Sequence, residues 1–369
     1  MLTNTIWAMF DSAQPIQLRR PTTPVTIGGH DRKNRVLHRA VSASTGATRL
    51  SSDTTLHDHA AALARQHPGV PLPNEGMPYP NSDEYAVSDE SPARIEALTA
   101  QLIDDFFGTP METREIAWLS RKAIEYGVRI HRTPAISAAI GRADPAQVRA
   151  VGRHLVRTST VGSPTVLGMA MLAEVGTSED VSLIQILGLL SGTFGPFAAD
   201  ALARLPNATT NLIWLADRSA GWGRVYLVEA ICRLGDPAAE QWLLRKPCDG
   251  NHLNGYFAYK VVCATPVHEA IALPELDEQV VDHTGRLLVA LVWSLGMGGT
   301  LLDYDHAEQV LADYLSHLCR LEPSRSRNYA VQTLSEFLDG DAYLLPPEWA
   351  SLESLRIAYR SLATARRLG

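Results

Sequence analysis

Only four cysteines occur in 369 residues, Cys232, Cys248, Cys263 and Cys319, and none forms a C-x-x-C pair. That scatter excludes a zinc ribbon or a thioredoxin-like motif and leaves small hydrophobic thiols of a reducing compartment. No apolar run approaches the roughly 18 residues that a bilayer-spanning helix needs, and the densest, Leu287 to Trp293, is short. The opening Met1-Leu2-Thr3-Asn4-Thr5-Ile6-Trp7 has no basic start and no long apolar core, so no secretory signal is expected. A basic surplus is lacking too: 33 Lys and Arg against 40 Asp and Glu leave a net charge of −7, which disfavours a grip on a nucleic-acid backbone. These absences predict a cytoplasmic protein that neither crosses a membrane nor favours DNA.

Catalytic signatures are missing as well. The chain has no G-x-S-x-G, no H-E-x-x-H and no phosphate loop, and Ile27-Gly28-Gly29-His30 lacks the rest of any nucleotide fingerprint. His57-Asp58-His59 offers two imidazoles, but they stand two apart in a helical segment, where their side chains diverge onto a solvated face. No catalytic residue, metal ligand or cofactor site is assigned.

What the sequence does have is a repeat. Asp200-Ala201-Leu202-Ala203-Arg204-Leu205 begins a stretch running to Leu215, and Glu229-Ala230-Ile231-Cys232-Arg233-Leu234 begins its counterpart running to Leu244, twenty-nine residues on. Leu172 to Thr177 lines up with Leu202 to Asn207, and Leu291 to Gly296 lines up with Ile231 to Gly235 and its neighbour. A period of about 30 residues accommodates two short helices and two turns, the unit of an α-solenoid. At 46% apolar residues there is material for a continuous core.

The chain divides near residue 90. Nine of its 22 prolines stand at or before Pro92, with Gly, Ser and Asn clustered around them, so residues 1–90 read as an irregular, partly extended strap with one helical stretch, Thr54 to Arg65. Residues 91–369 read as the helical repeat domain. Helix starts recur at Ser91-Pro92, Asp144-Pro145, Ser163-Pro164 and Asp236-Pro237, where a capping side chain precedes a proline suited to the first helical position. Stops recur at Gly127, Gly176, Gly235 and Gly296, as left-handed caps require. Leu227, Val228, Ile231 and Leu234 share one stripe; Glu229 and Arg233, like Asp200 and Arg204, lie four apart on the other face. Pro346-Pro347 opens a terminal helix ending in Arg366-Arg367.

The stretch Ile231 to Leu244, with its Leu234-Gly235-Asp236-Pro237 turn, resembles a HEAT-like repeat of the phycobilisome-lyase type. A longer run, from Gly221-Trp222-Gly223-Arg224 through Cys248-Asp249-Gly250-Asn251 to Tyr256, is similar to bacterial HEAT-like proteins without an assigned activity. The resemblance implies an all-α superhelical solenoid and says little about chemistry. HEAT-like di-iron hydroxylases repeat His-Glu pairs, whereas only His268-Glu269 occurs here. HEAT-like alkylpurine DNA glycosylases use tryptophans and an aspartate, which Trp214-Leu215-Ala216-Asp217 and Trp222 echo; in the repeat register, however, Trp214 falls beside Trp242 and reads as packing.

The remaining candidate is a binding surface. Asp217, Arg218, Trp222, Arg224 and Tyr226 concentrate around glycines at one inter-helix turn, and Asn251, His252 and Tyr256 occupy the corresponding turn one repeat on. Trp, Tyr and Arg dominate interface hot spots. Both turns are expected on one edge, residues 217–226 and 249–259, with Arg224 free to pair with a partner's acid. The expectation is a non-enzymatic scaffold or a regulatory or immunity factor that binds a protein through the solenoid edge and concave face; the alternative is a HEAT-like DNA-processing enzyme of the alkylpurine DNA glycosylase type.

Overall fold

A computed structural model describes residues 53–79, 81, 91–110, 115–128, 133–340, 346 and 349–368. Among them are seventeen α-helices and no strand: α1 (Leu56–Gln66), α2 (Pro92–Gly108), α3 (Ile116–Glu125), α4 (Pro134–Gly141), α5 (Pro145–Thr158), α6 (Gly162–Val175), α7 (Val181–Gly188), α8 (Ser191–Leu202), α9 (Ala208–Ala216), α10 (Gly221–Leu234), α11 (Glu240–Leu243), α12 (Ala258–Ala264), α13 (Val267–Ile271), α14 (Glu278–Val292), α15 (Ala307–Leu318), α16 (Arg325–Asp339) and α17 (Leu352–Leu368). The chain is all-α over this range. None of these helices is long and apolar enough to cross a membrane. Leu50–Gly369 form one unit; the other, Met1–Arg49, lies outside the described residues.

Local chemistry sets many of the boundaries. Ser91 accepts from the Arg94 amide and Asp144 from the Gln147 amide, each just ahead of a proline in the first helical turn. Asp236 does the same for Ala238 at the 3₁₀ turn Pro237–Ala239, after Gly235 closes α10 at φ 60°. Two expected signals act differently. α6 starts at Gly162, with Val161 at its cap, so Ser163-Pro164 lies inside the first turn; every residue from Gly162 to Ala173 is buried, and packing rather than a polar cap sets that start. Gly176 is extended at φ −64° because its chain runs straight into the Thr177–Asp180 capping box. Gly296 is left-handed at φ 80°, but it follows the end of α14 by several residues and shapes a loop. The last helix begins at Leu352, and Pro347 lies outside the described residues.

Successive helices pack in a regular order. α6 touches α8, α8 touches α10, α10 touches α12, α12 touches α14 and α14 touches α16, while α5, α7 and α9 pack on α6, α8 and α10 in turn. Gly195 and Gly223 let α8 and α10 approach closely: a Cβ on Gly195 would sit 2.8 Å from the Gly223 Cα. Leu227, Val228 and Ile231 of the expected stripe are buried, but Leu234, in the last turn of α10, is 37% exposed. Glu229 bonds Lys260 of α12 at 2.6 Å rather than Arg233, while Asp200 and Arg204 face each other at 3.9 Å.

Residues 53–79, from the stretch read as a strap, join the same unit. α1 packs on α5 and α7, and the turn Pro73–Gly76 packs on α8. His59, expected on a solvated face, is buried instead, with Nε2 3.5 Å from the Gly76 carbonyl, because the turn at 73–76 folds back over α1. Burial lowers its pKa.

Candidate functional site

The two turns singled out by composition do meet. Trp222, in the first turn of α10, packs with tilted rings against Tyr256 of the turn His252–Tyr256 at 4.7 Å between ring centroids and against Tyr226 at 6.3 Å. All three rings are half-buried, with their inner parts against the core. Burial first, then nearby Glu229, raises the Tyr226 hydroxyl above its ordinary range.

Arg224 is not part of that surface. One helical step inward from Trp222, it is buried, and its guanidinium donates to four main-chain carbonyls: Nε to Pro247 at 2.7 Å, Nη1 to Ala216 at 2.7 Å and to Ser219 at 3.3 Å, and Nη2 to Lys246 at 2.5 Å. The expectation that Arg224 is free for a partner is therefore corrected. The last carbonyls of a helix have no intrahelical donor, and one planar fork of N–H groups satisfies those at the end of α9 together with those that follow α11. Asp249 approaches the same guanidinium at 3.9 Å, and burial pulls the Arg224 pKa down.

The other side of this segment is held by His283 of α14. Its Nε2 accepts from the Cys248 amide at 3.1 Å and its Nδ1 pairs with the Leu244 carbonyl at 3.0 Å, which requires the neutral Nδ1–H tautomer. Burial lowers its pKa to about 3. Residues 244–248 are thus clamped between a buried arginine and a buried neutral histidine.

The remaining candidates are placed as follows. Asp217 accepts from Trp242 Nε1 at 2.9 Å, and Arg218 donates to the Trp214 carbonyl with its guanidinium 4.2 Å above the Trp214 ring. Both therefore brace neighbouring tryptophans. Asn251 is exposed and caps its own turn by accepting from Leu253, while Asp249 and Asn254 close the loop by accepting from Asn251 and Gly250. His252 is exposed beside them.

The structure adds residues that the repeat alignment read as a helix end. After α14 the chain runs Trp293-Ser294-Leu295-Gly296-Met297-Gly298-Gly299, and this loop lies against the same edge: a Cβ on Gly255 would sit 3.0 Å from Met297 Sδ, and the Tyr259 ring covers Gly299. Ser294 Oγ lies 2.8 Å from the carbonyls of both Leu291 and Gly299, which share its single proton, and its own carbonyl accepts from Met297 at 2.7 Å. From this stapled loop Trp293 is 58% and Leu295 84% exposed. The sequence signal was there: large apolar residues separated by glycines fit neither a helix face nor a buried stripe. The loop thus lies against the turn that carries Tyr256, beside the ring cluster of Trp222, Tyr226 and Tyr256.

No family model, curated protein or solved structure matches the chain.

Proposed function

We propose that the chain is a HEAT-like α-solenoid scaffold, cytoplasmic and non-enzymatic, that binds a protein partner through the apolar edge Trp222, Tyr226, Tyr256, Trp293 and Leu295. The i to i+2 contacts from α6 to α16 support the solenoid, since each added helix pair buries its face only against its neighbours. One observation carries the binding reading: Leu295 and Trp293 are held out to solvent by a loop whose backbone is pinned through Ser294. Side chains displayed on a rigid loop lose little entropy on docking, and clustered aromatic and apolar residues form the anchors of interfaces. A net charge of −7 suits a protein rather than a nucleic-acid partner. The DNA-processing alternative draws no support from Asp217, whose carboxylate is engaged by Trp242.

The test is affinity capture from the native cell with the wild-type chain, the double variant Trp293→Ser/Leu295→Ser and the control Glu229→Ala, followed by calorimetry with the co-purified protein. Wild type and control should bind alike, and the double variant should lose about 2 kcal/mol or more. Equal affinity for all three would rule out this edge.

A further inference from the structure

The first turns of α8 and α10 have no polar side chain of their own to cap them. Their cap positions are Leu190 and Ala220, whose side chains offer no acceptor to the first-turn amides. The carboxylate of Glu75 lies over both helix starts instead. A Cβ on Gly192 would come within 2.7 Å of Glu75 Oε2, and a Cβ on Gly221 would collide with Oε1. Gly221 is left-handed at φ 57°, so two separate reasons demand glycine there.

The segment that brings Glu75 to this position is docked at both ends. Leu72 and Tyr79 are buried; the Tyr79 hydroxyl pairs with Thr193 Oγ1 at 3.0 Å and its ring packs on Phe194. Between them Asn74, Glu75 and Gly76 are all left-handed, at φ 49°, 57° and 85°, a conformation disfavoured for the first two. Gly76 is pressed against Leu190, where a Cβ would stand 2.5 Å from the Leu190 Cδ2. The tight left-handed turn is what aims the carboxylate downward. Burial pushes the Glu75 carboxyl up.

We infer that residues 71–79 are a tethered ligand: they fill a groove across the N-terminal ends of α8 and α10 that recognises a short peptide by one carboxylate set between an apolar and an aromatic anchor. Glu75 latches the two helices, and the groove accepts a peptide of the same chemistry in trans when the strap is released. Because Gly221 adjoins Trp222, release frees the first end of the apolar edge, so strap and partner are coupled; that clause alone rests on the proposed function.

Hydrogen exchange read by mass spectrometry on the full chain tests the latch without any partner. In Glu75→Gln and in Gly221→Ala, the amides of residues 73–77 and the first turns of α8 and α10 should exchange about tenfold faster or more, with α14 to α17 unchanged. A second arm uses Leu72→Ser/Tyr79→Ala, checked for helicity, and a synthetic peptide with the sequence of residues 70–79. The variant should bind that peptide, and the peptide carrying Glu75→Gln should bind about tenfold more weakly. Unchanged or slower exchange in Glu75→Gln, acceleration spread evenly over all helices, no binding of the peptide, or binding indifferent to its glutamate would each overturn the inference. The edge at Trp293 and Leu295 is read in a separate assay, so either idea can fail alone.

Discussion

Trp222 and Arg224 stand two residues apart in one helical turn, yet they belong to different kinds of structure. Trp222 faces outward to Tyr226 and Tyr256, while Arg224 faces inward to the carbonyls of Ala216, Ser219, Lys246 and Pro247. The outer side is aromatic, and the loop that displays Trp293 and Leu295 packs on its Tyr256 turn. The inner side is a polar knot, completed by His283, in which every strong group named has a partner. Composition places tryptophan, arginine and tyrosine together as a binding hot spot; geometry divides them into a display surface and the strut that fixes it. At this turn only the aromatic rings are open to a partner; the guanidinium is spent on main-chain carbonyls.

Removing the strut should have the largest effect. Arg224→Ala removes the side-chain donor to four main-chain carbonyls, of which only Ala216 keeps a backbone donor, and should destabilise the fold by about 3–5 kcal/mol in urea unfolding. Ile231→Ala, in the same helix and 1% exposed, should cost about 2–4 kcal/mol through lost burial and a cavity. Glu229→Ala loses only the partly exposed pair with Lys260 and should cost under about 1 kcal/mol, so similar losses at 229 and 231 would show that the phase of α10 is misassigned.

The knot also has a pH signature. His283 must stay neutral in the folded chain, its pKa lowered to about 3 from 6.5. The unfolded state then binds the extra proton: this contribution is complete above pH 6.5 and is lost as pH falls toward 3, at up to about 1.4 kcal/mol per pH unit. His59, lowered by burial, acts with the same sign. Urea unfolding between pH 6.5 and 5, above the usual carboxylate range, should show a slope that His283→Gln reduces by about one proton.

What was legible in the sequence follows from how local each signal is. Caps at Ser91, Asp144 and Asp236 are read by amides two or three residues away, and Gly235 needs only its own φ. Those positions could be assigned without knowing the rest of the fold. The repeat register likewise placed Ile231 in the core and brought the turns of Trp222 and Tyr256 together. Arg224 was misread because its acceptors are main-chain carbonyls, which leave no trace in residue identity. His59 looked solvated because the turn that buries it is contributed by residues 73–76 of an irregular stretch. Trp293 and Leu295 were absorbed into the repeat alignment, although the helix stops at Val292 and glycines turn the chain outward.

The smallest expected change in stability is also the most direct check on the division between display surface and strut. Unfolding free energies and affinity for the captured partner should be measured on the same preparations of Arg224→Ala and Trp293→Ser/Leu295→Ser. Exposed side chains away from packing contribute little to stability, so the double variant should stay within about 0.5 kcal/mol of wild type while losing the partner. Arg224→Ala should lose several kcal/mol of stability, and its folded fraction should bind normally. A double variant that unfolds early yet still binds, or an Arg224→Ala chain of wild-type stability that no longer binds, would contradict the account.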